Sequence, residues 1–532
     1  MRRDVAALSL LLLGSSPLRP VHAAGAPLPA RCELAASGEY SCGRVAGEKL
    51  LVGAPIAAFA EGAWHIAHTT LRPVGAATPL AGSDRIGQFK GTRLDWMAGN
   101  STPFQTSVKN YVSPPCVVFE YAFPDGAEGT AHAPRGQAES DVLTNFPAFR
   151  SIEMKHAISW ADNFINFQPK LAYGPNGGPA VWFDSPGTES PVLIASPLDN
   201  FIGSSSAGVL ANGDGAVWAG GMTATIESLP RGFSQSFVLY SGVGVTASLH
   251  EWGALLQRLA NSSKIADPTL TGLSYQTDNG AQYCFCNEHC DSKLIAVREY
   301  LERIEVPVQL MSFQGGWWTN KNIHTPLCAP WCVTSWNPNA SKVPMGLPAF
   351  HEKLGLPLQL YAPYFCADTV YDIENGGKWP FVASNTSLPG CGGYSFKNVA
   401  PDHARDFYDF FFAQGRAGGM VAFEPDFLQQ NYQCLPAFNT NVSAMPTWLA
   451  GLNAAGMAVE PPVPIQFCMA TPMELLASMA LPTVTNFRAS NDFYYGGSYK
   501  LGSSSLLIWA AGQKPSKDTF WTTDNSAYNN SC

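Results

Sequence analysis

The chain has 532 residues, 46% of them hydrophobic and 14% charged, so it can bury large cores and is long enough for two domains. Its formal net charge is −9 and no basic block stands out, which argues against nucleic acid as a partner. Aromatic residues make up 12%, with 14 Trp, a composition that suits stacking on sugar rings, although large β-rich chains bury much Trp in any case.

Arg2 and Arg3 precede the apolar run Ala6 to Leu13, and Val21-His22-Ala23 offers a small-residue cleavage site before Ala24. This is the pattern of a secretory signal peptide over residues 1–23. The run is too short to span a bilayer, and no later stretch is long and apolar enough. The expected product is secreted, extracellular or in the lumen of the secretory pathway, with no membrane span. The 13 cysteines suit an oxidising compartment. Their odd number leaves at least one outside any intrachain pair, and Cys532 is the natural candidate. Sequons at Asn100, Asn261, Asn339, Asn385, Asn441 and Asn529 agree with that route.

From residue 24 to about 265 there is no helical repeat. Short apolar or alternating runs recur instead, among them Val117 to Tyr121, Ala180 to Phe183, Pro191 to Ala195 and Phe233 to Tyr240. Gly, Pro, Asn and Asp separate them, which reads as an antiparallel β-sandwich. Val245 to Leu259 has Trp252, Leu255, Leu256 and Leu259 at helical spacing, and Asn261-Ser262-Ser263 marks a linker.

The rhythm then changes over 266–532. Expected strands at Leu270 to Tyr275, Val308 to Phe313, Pro357 to Ala362, Gly419 to Leu428, Pro464 to Cys468, Val484 to Phe493 and Asp518 to Trp521 alternate with helices. The helices are expected after a cap at Asp291, around Pro348 to Leu354, from Pro401 to a stop at Gly415, and over Met445 to Gly456, Thr471 to Met479 and Ser503 to Ala511. Such alternation predicts a (β/α)8-type (TIM) barrel, with an open doubly wound sheet as runner-up. No glycine-rich phosphate loop follows the first strand, which weakens the runner-up. A closed barrel takes eight strands, and the sequence offers about seven. Either that count is short or the chain is a truncated form of a longer protein, its barrel incomplete at the C-terminus.

Two strand tips carry carboxylates. Gly419 to Phe423 is an apolar run that ends in Glu424-Pro425-Asp426, and a later tip ends in Asn491-Asp492. Retaining glycosidases need two carboxyl groups about 5–5.5 Å apart, one to attack the anomeric carbon and one to move the proton. Asp426 and Asp492 are the expected pair. Asp278 lies at the first strand tip and is either a turn residue or a sugar contact. Trp317 and Trp318 follow the second strand and are either a sugar platform or core. Cys284, Cys286 and Cys290 with His289 are expected to form disulfides rather than a zinc site. Cys328, Cys332, Cys366, Cys391 and Cys434 fall at or after strand tips, where bridges would pin long loops. No nucleophile-elbow pattern is present, which excludes the serine hydrolases that use one.

The segment Phe487-Arg488-Ala489-Ser490-Asn491-Asp492-Phe493 resembles the W-R-T-T-G-D-I stretch of the α-galactosidase (melibiase) clan of retaining glycosidases, which includes raffinose-synthase-like members. The resemblance implies that Asp492 is the acid/base and that Arg488, four residues earlier, binds the sugar. Ile465 to Cys468 is similar to the clan's Y-S-L-C segment. Glu424-Pro425-Asp426 stands where the clan has K-Y-D or K-W-D, which makes Asp426 the nucleophile. Asp278 resembles an acidic tip that binds sugar hydroxyls. Glu424 replaces the clan's lysine, so it either faces the sugar or is salt-bridged to Arg488 or Arg416. Met469 replaces an acidic residue common in the clan. The expected function is hydrolysis of α-linked, α-galactoside-like sugars with no cofactor and no metal. The alternatives are a transglycosidase of raffinose-synthase type and a catalytically silent carbohydrate-binding protein.

Overall fold

A computed structural model describes residues 30–43, 49–132, 142–175, 177–210, 215–278, 286, 288–319, 332–388, 390–392, 395–489, 491 and 500–517. Up to Val243 the strands form antiparallel ladders, chiefly a six-stranded and a ten-stranded sheet. Side-chain alternation explains how the larger sheet packs. Along Cys116–Phe123, residues Val117, Phe119, Tyr121 and Phe123 turn to a core shared with the smaller sheet, where Tyr40 meets Phe119 and Phe146. Cys116 and Val118 turn the other way, into the core shared with the second half of the chain. Both faces are buried over its first four residues, which is why Cys116 to Phe119 read as an unbroken apolar run, while Glu120 and Ala122 are half-buried.

Helix α1 (Val245–Ala260) leads out of the antiparallel half and ends at Asn261 in the left-handed region. A Cβ on Gly253 would lie 2.0 Å from the Ala510 carbonyl oxygen, so only glycine lets α1 approach the last helix this closely.

The second half is built on seven parallel strands: β1 (Leu273–Gln276), β2 (Val308–Phe313), β3 (Leu358–Ala362), β4 (Met420–Pro425), β5 (Ile465–Phe467), β6 (Val484–Arg488) and β7 (Lys514–Ser516). They pair in chain order from β1 to β7. A doubly wound sheet reverses its order at a switch point, and this one does not, so the runner-up topology is corrected. The sheet is also curled. Second-neighbour strands lie about 10 Å apart in a flat sheet. Yet Gln314, just past β2, reaches Glu424 of β4, and Gln359 of β3 reaches Gln466 of β5. Side chains from alternate strands meet in this way only on a concave face. At the other end, Thr485 and Asn486 of β6 donate to Asp267, six residues before β1. No ladder joins β7 to β1 among the described residues.

Between the strands run α2 (Cys290–Arg303), α3 (Gly346–Leu354), α4 (Ala404–Ala417), α5 (Ala444–Ala458), α6 (Pro472–Ser478) and α7 (Leu501–Ala510). Thr471 and Glu474 form a capping box that starts α6. Three expectations need correction. Asp291 lies inside the first turn of α2, and its carboxylate accepts from Met345 N at the start of α3. Gly415 does not stop α4, which runs to Ala417; it makes room for Met420, whose side chain lies 2.8 Å from where a Cβ would be. The seventh strand is Lys514–Ser516, while the expected Asp518 to Trp521 lies outside the described residues. No helix among the described residues is long and apolar enough to cross a membrane.

Candidate active site at the strand tips

Alternation in the parallel strands sorts side chains to two faces. On β4 a register shift at Val421 resets the alternation, so Met420 and Phe423 both turn outward to α4 and Glu424 turns inward. Asp426 follows two residues later, just past the strand, on the same inner side. Its backbone N–H donates to Ala362 O at the end of β3, and Cys468 N donates to Pro425 O, which laces the tips of β3, β4 and β5 together.

Asp426 is 5% exposed. Tyr361 Oη donates to its Oδ2 at 2.6 Å, and Phe427 N donates to its Oδ1 at 2.7 Å. Cys468 also hydrogen bonds to the carboxylate. Arg488 Nη1 donates to Cys468 Sγ at 3.3 Å. Burial pushes the Asp426 carboxyl above its ordinary value, while Cys468, Tyr361, the Arg488 charge and the Phe427 N–H pull against that rise. The Tyr361 phenol is driven far above its ordinary range, first by burial, then by the Asp426 carboxylate. It therefore stays protonated and serves as a fixed donor. Asp278 is half-buried past β1, and its charge adds the smallest of the contributions that raise the Tyr361 phenol.

Glu424 lies one layer below and is 1% exposed. It accepts from Gln314 Nε2 at 2.5 Å and from Gln466 Nε2 at 3.1 Å. The expected Arg416 pairing is corrected, because Arg416 donates to the carbonyls of Met420 and Pro461 instead. Trp317 and Trp318 are each 1% exposed. Trp318 stacks on Tyr361 with centroids 5.9 Å apart and donates to Cys332 O, and Trp317 sets its edge on Trp336. Of the two readings open for these indoles, core packing describes what they do; Trp318 backs Tyr361. Asp492 lies outside the described residues. Asn491, just before it, has its carbonyl held by Lys517 past β7.

Disulfides surround the mouth. Cys332–Cys366 ties the loop after β2 to that after β3, and Cys391–Cys434 ties the loop after β3 to the helix just after Asp426. Cys32–Cys42 closes a hairpin in the antiparallel half. Cys286 and Cys290 are bonded to each other, which removes the sulfurs a zinc ion would need. Cys284, Cys328 and Cys532 lie outside the described residues.

Backbone strain gathers here too. Among the described residues, eleven non-glycine residues have positive φ, and five of them stand around this mouth: Asp162, Phe164, Ile165, Phe427 and Met469. Such conformations cost about 1–3 kcal/mol each and collect at functional sites. Phe427 and Met469 directly follow Asp426 and Cys468. Phe164 belongs to the antiparallel half, and its ring lies 4.7 Å from the Arg488 guanidinium. The sequence reading missed Phe164 and Tyr361. Tyr361 carried a signal, two residues after inward Gln359 on a strand ending at the mouth; Phe164 carried none.

No family model matches the sequence, and no curated protein matches it. Solved structures do resemble the fold. The α-galactosidase from Lactobacillus brevis is 11% identical with TM-score 0.52, covering 88% of this chain and 66% of its own, so the chain spans just under two thirds of that protein. The α-N-acetylgalactosaminidase NagBb from Bifidobacterium bifidum, bound to GalNAc, is 11% identical with TM-score 0.53, covering 94% of this chain and 86% of its own. The GH36 α-galactosidase AgaA from Geobacillus stearothermophilus, bound to 1-deoxygalactonojirimycin, is 11% identical with TM-score 0.50, covering 87% and 68%. The likeness takes in both halves of the chain, and at this identity what it establishes is a shared fold.

Proposed function

We propose that the protein is a secreted retaining glycoside hydrolase acting on α-linked sugars of the α-galactoside type, with a carbohydrate as its partner. The observation that carries the reading is Asp426: a buried carboxylate at a parallel strand tip, gripped on both oxygens, with a guanidinium close by. The shared fold with α-galactosidases supports the choice of reaction.

In this reading the Asp426 carboxylate attacks the anomeric carbon as the glycosidic oxygen takes a proton from Asp492. Water then attacks the same carbon, gives its proton to Asp492 and releases Asp426. Tyr361 and Phe427 N hold the nucleophile so that one lone pair faces the sugar. Arg488 and Asp278 hold hydroxyls. Trp318 acts through Tyr361 and not as a platform. Glu424 is fixed by two glutamine amides and orients the layer beneath Asp426. No cofactor or metal enters the scheme. The same reading takes residues 1–23 as a cleaved signal, 24–265 as the β-sandwich and 266–532 as the barrel half, with its sequons glycosylated.

The test is hydrolysis of aryl α-galactoside and aryl α-N-acetylgalactosaminide by the secreted protein, beside Asp426→Asn. Turnover in the wild type and none in the variant is expected. A folded wild type that leaves both compounds intact overturns the reading; sugar binding without turnover would then mark a binding protein, as the lysine-to-glutamate change at Glu424 would favour.

A further inference from the structure

Phe164 is the point where the antiparallel half enters the site. It sits in the turn Asn163–Ile165, between strands His156–Ala161 and Asn166–Gln168. That turn is fastened to the second half on both sides. Trp160 Nε1 donates to Ser503 O at 2.8 Å on α7. Asn163 N donates to Gln429 Oε1 at 3.2 Å, and Gln429 N donates to Met469 O at 3.0 Å, so the turn is linked to the tips of both β4 and β5. The backbone is forced: φ is 59° at Asp162, 62° at Phe164 and 54° at Ile165. A β-branched residue in that region is unusual and needs surroundings that over-determine it. Ile165 is fully buried in the shared core, which supplies them. The outcome of this strained turn is a Phe164 ring, 3% exposed, set over the Arg488 guanidinium at 4.7 Å.

We propose that Phe164 is a positioning residue for substrate, acting through Arg488, and that the two halves of the chain complete one sugar site. The inference rests on the glycosidase reading given above. A guanidinium is planar: an aromatic face attracts it from one side and fixes its plane, while its N–H donors lie in that plane and keep their aim. Phe164 thereby sets the orientation in which Arg488 meets sugar hydroxyls. The antiparallel half then contributes to affinity as well as to packing.

The test uses the full secreted chain with Phe164→Leu and Phe164→Tyr, reading KM and kcat on an aryl α-galactoside together with galactose binding by calorimetry. Phe164→Leu keeps bulk and loses the π face; KM should rise about tenfold with kcat within about threefold of the wild type. Phe164→Tyr should restore KM. Site-specific fluorinated phenylalanines at 164 weaken the ring face without changing its shape and keep the test open if the leucine variant does not fold; KM should climb with each fluorine. A flat fluorine series, or a tyrosine variant no better than leucine, overturns the inference while leaving the glycosidase reading intact. A wild type that neither turns over nor binds the sugar overturns both.

Discussion

Phe423 and Glu424 are neighbours on β4 and live in different surroundings. Phe423 packs outward against Phe411 and Phe412 of α4, with centroids 5.5 and 5.4 Å away. Glu424 turns inward to two glutamine amides. The contrast runs along the sheet. Leu358, Leu360, Ile465 and Phe487 join the apolar core, while Gln359, Tyr361, Gln466, Cys468 and Arg488 form the polar inner layers. One face holds the fold; the other holds charge in place near a buried carboxylate. A polar interior is expensive unless its groups have partners, and here Glu424 and Asp426 find theirs on adjacent and alternate strands.

Four substitutions would break or sharpen this contrast. Asp426→Asn, on the inner side, should cut glycoside hydrolysis by at least about 10³-fold. It should also stabilise the protein at pH values above the folded carboxyl's titration, where the wild type holds a buried charge. The sign follows from linkage: burial raises the folded carboxyl above its ordinary 3.8, so the wild type loses stability as pH rises through that folded value and the variant does not. Melting curves across pH should show the gap opening as pH rises from about 4. Phe423→Ala, on the outer face, should cost about 3–5 kcal/mol of stability by leaving a cavity, while activity per folded molecule stays close to the wild type; chemical denaturation and active-site titration separate the two. Tyr361→Phe removes a hydrogen bond to a charged group, worth about 1.5–3 kcal/mol. Its donor lowers the Asp426 pKa, so the acid limb of the pH–rate profile should move to higher pH, and kcat should fall by about tenfold or more. Arg405→Ala breaks only an exposed i,i+4 pair with Asp409 on α4; stability should change by less than about 0.5 kcal/mol, with activity unchanged.

How much of this was legible in the sequence depends on how local the signal is. Strands β2 to β6 and their helices announce themselves through apolar runs, caps and helical spacing. β7 does not: Lys514-Pro515-Ser516 has no strand character of its own and is a strand because β6 lies beside it. Asp426 could be read from an apolar run ending in acids. The alternation Gln359, Tyr361 and Gln466, Cys468 was also in the sequence, as polar residues every second position in otherwise apolar strands. Reading it as an inner face needs the curl of the sheet. Trp317 and Trp318 at a strand tip suggested a platform as readily as core, since position along the chain does not say which way an indole turns. Phe164 was beyond reach, because nothing near it in sequence refers to Arg488; only the docking of the two halves brings them together.

The most direct measurement is covalent trapping with an activated fluorinated α-galactosyl donor, which forms the glycosyl-enzyme quickly and releases it slowly. The account predicts that the protein gains the mass of one glycosyl unit, that the label maps to Asp426, and that Asp426→Asn takes up none. A label on another carboxylate, or folded wild-type protein that hydrolyses the substrate and never acquires a label, would contradict it.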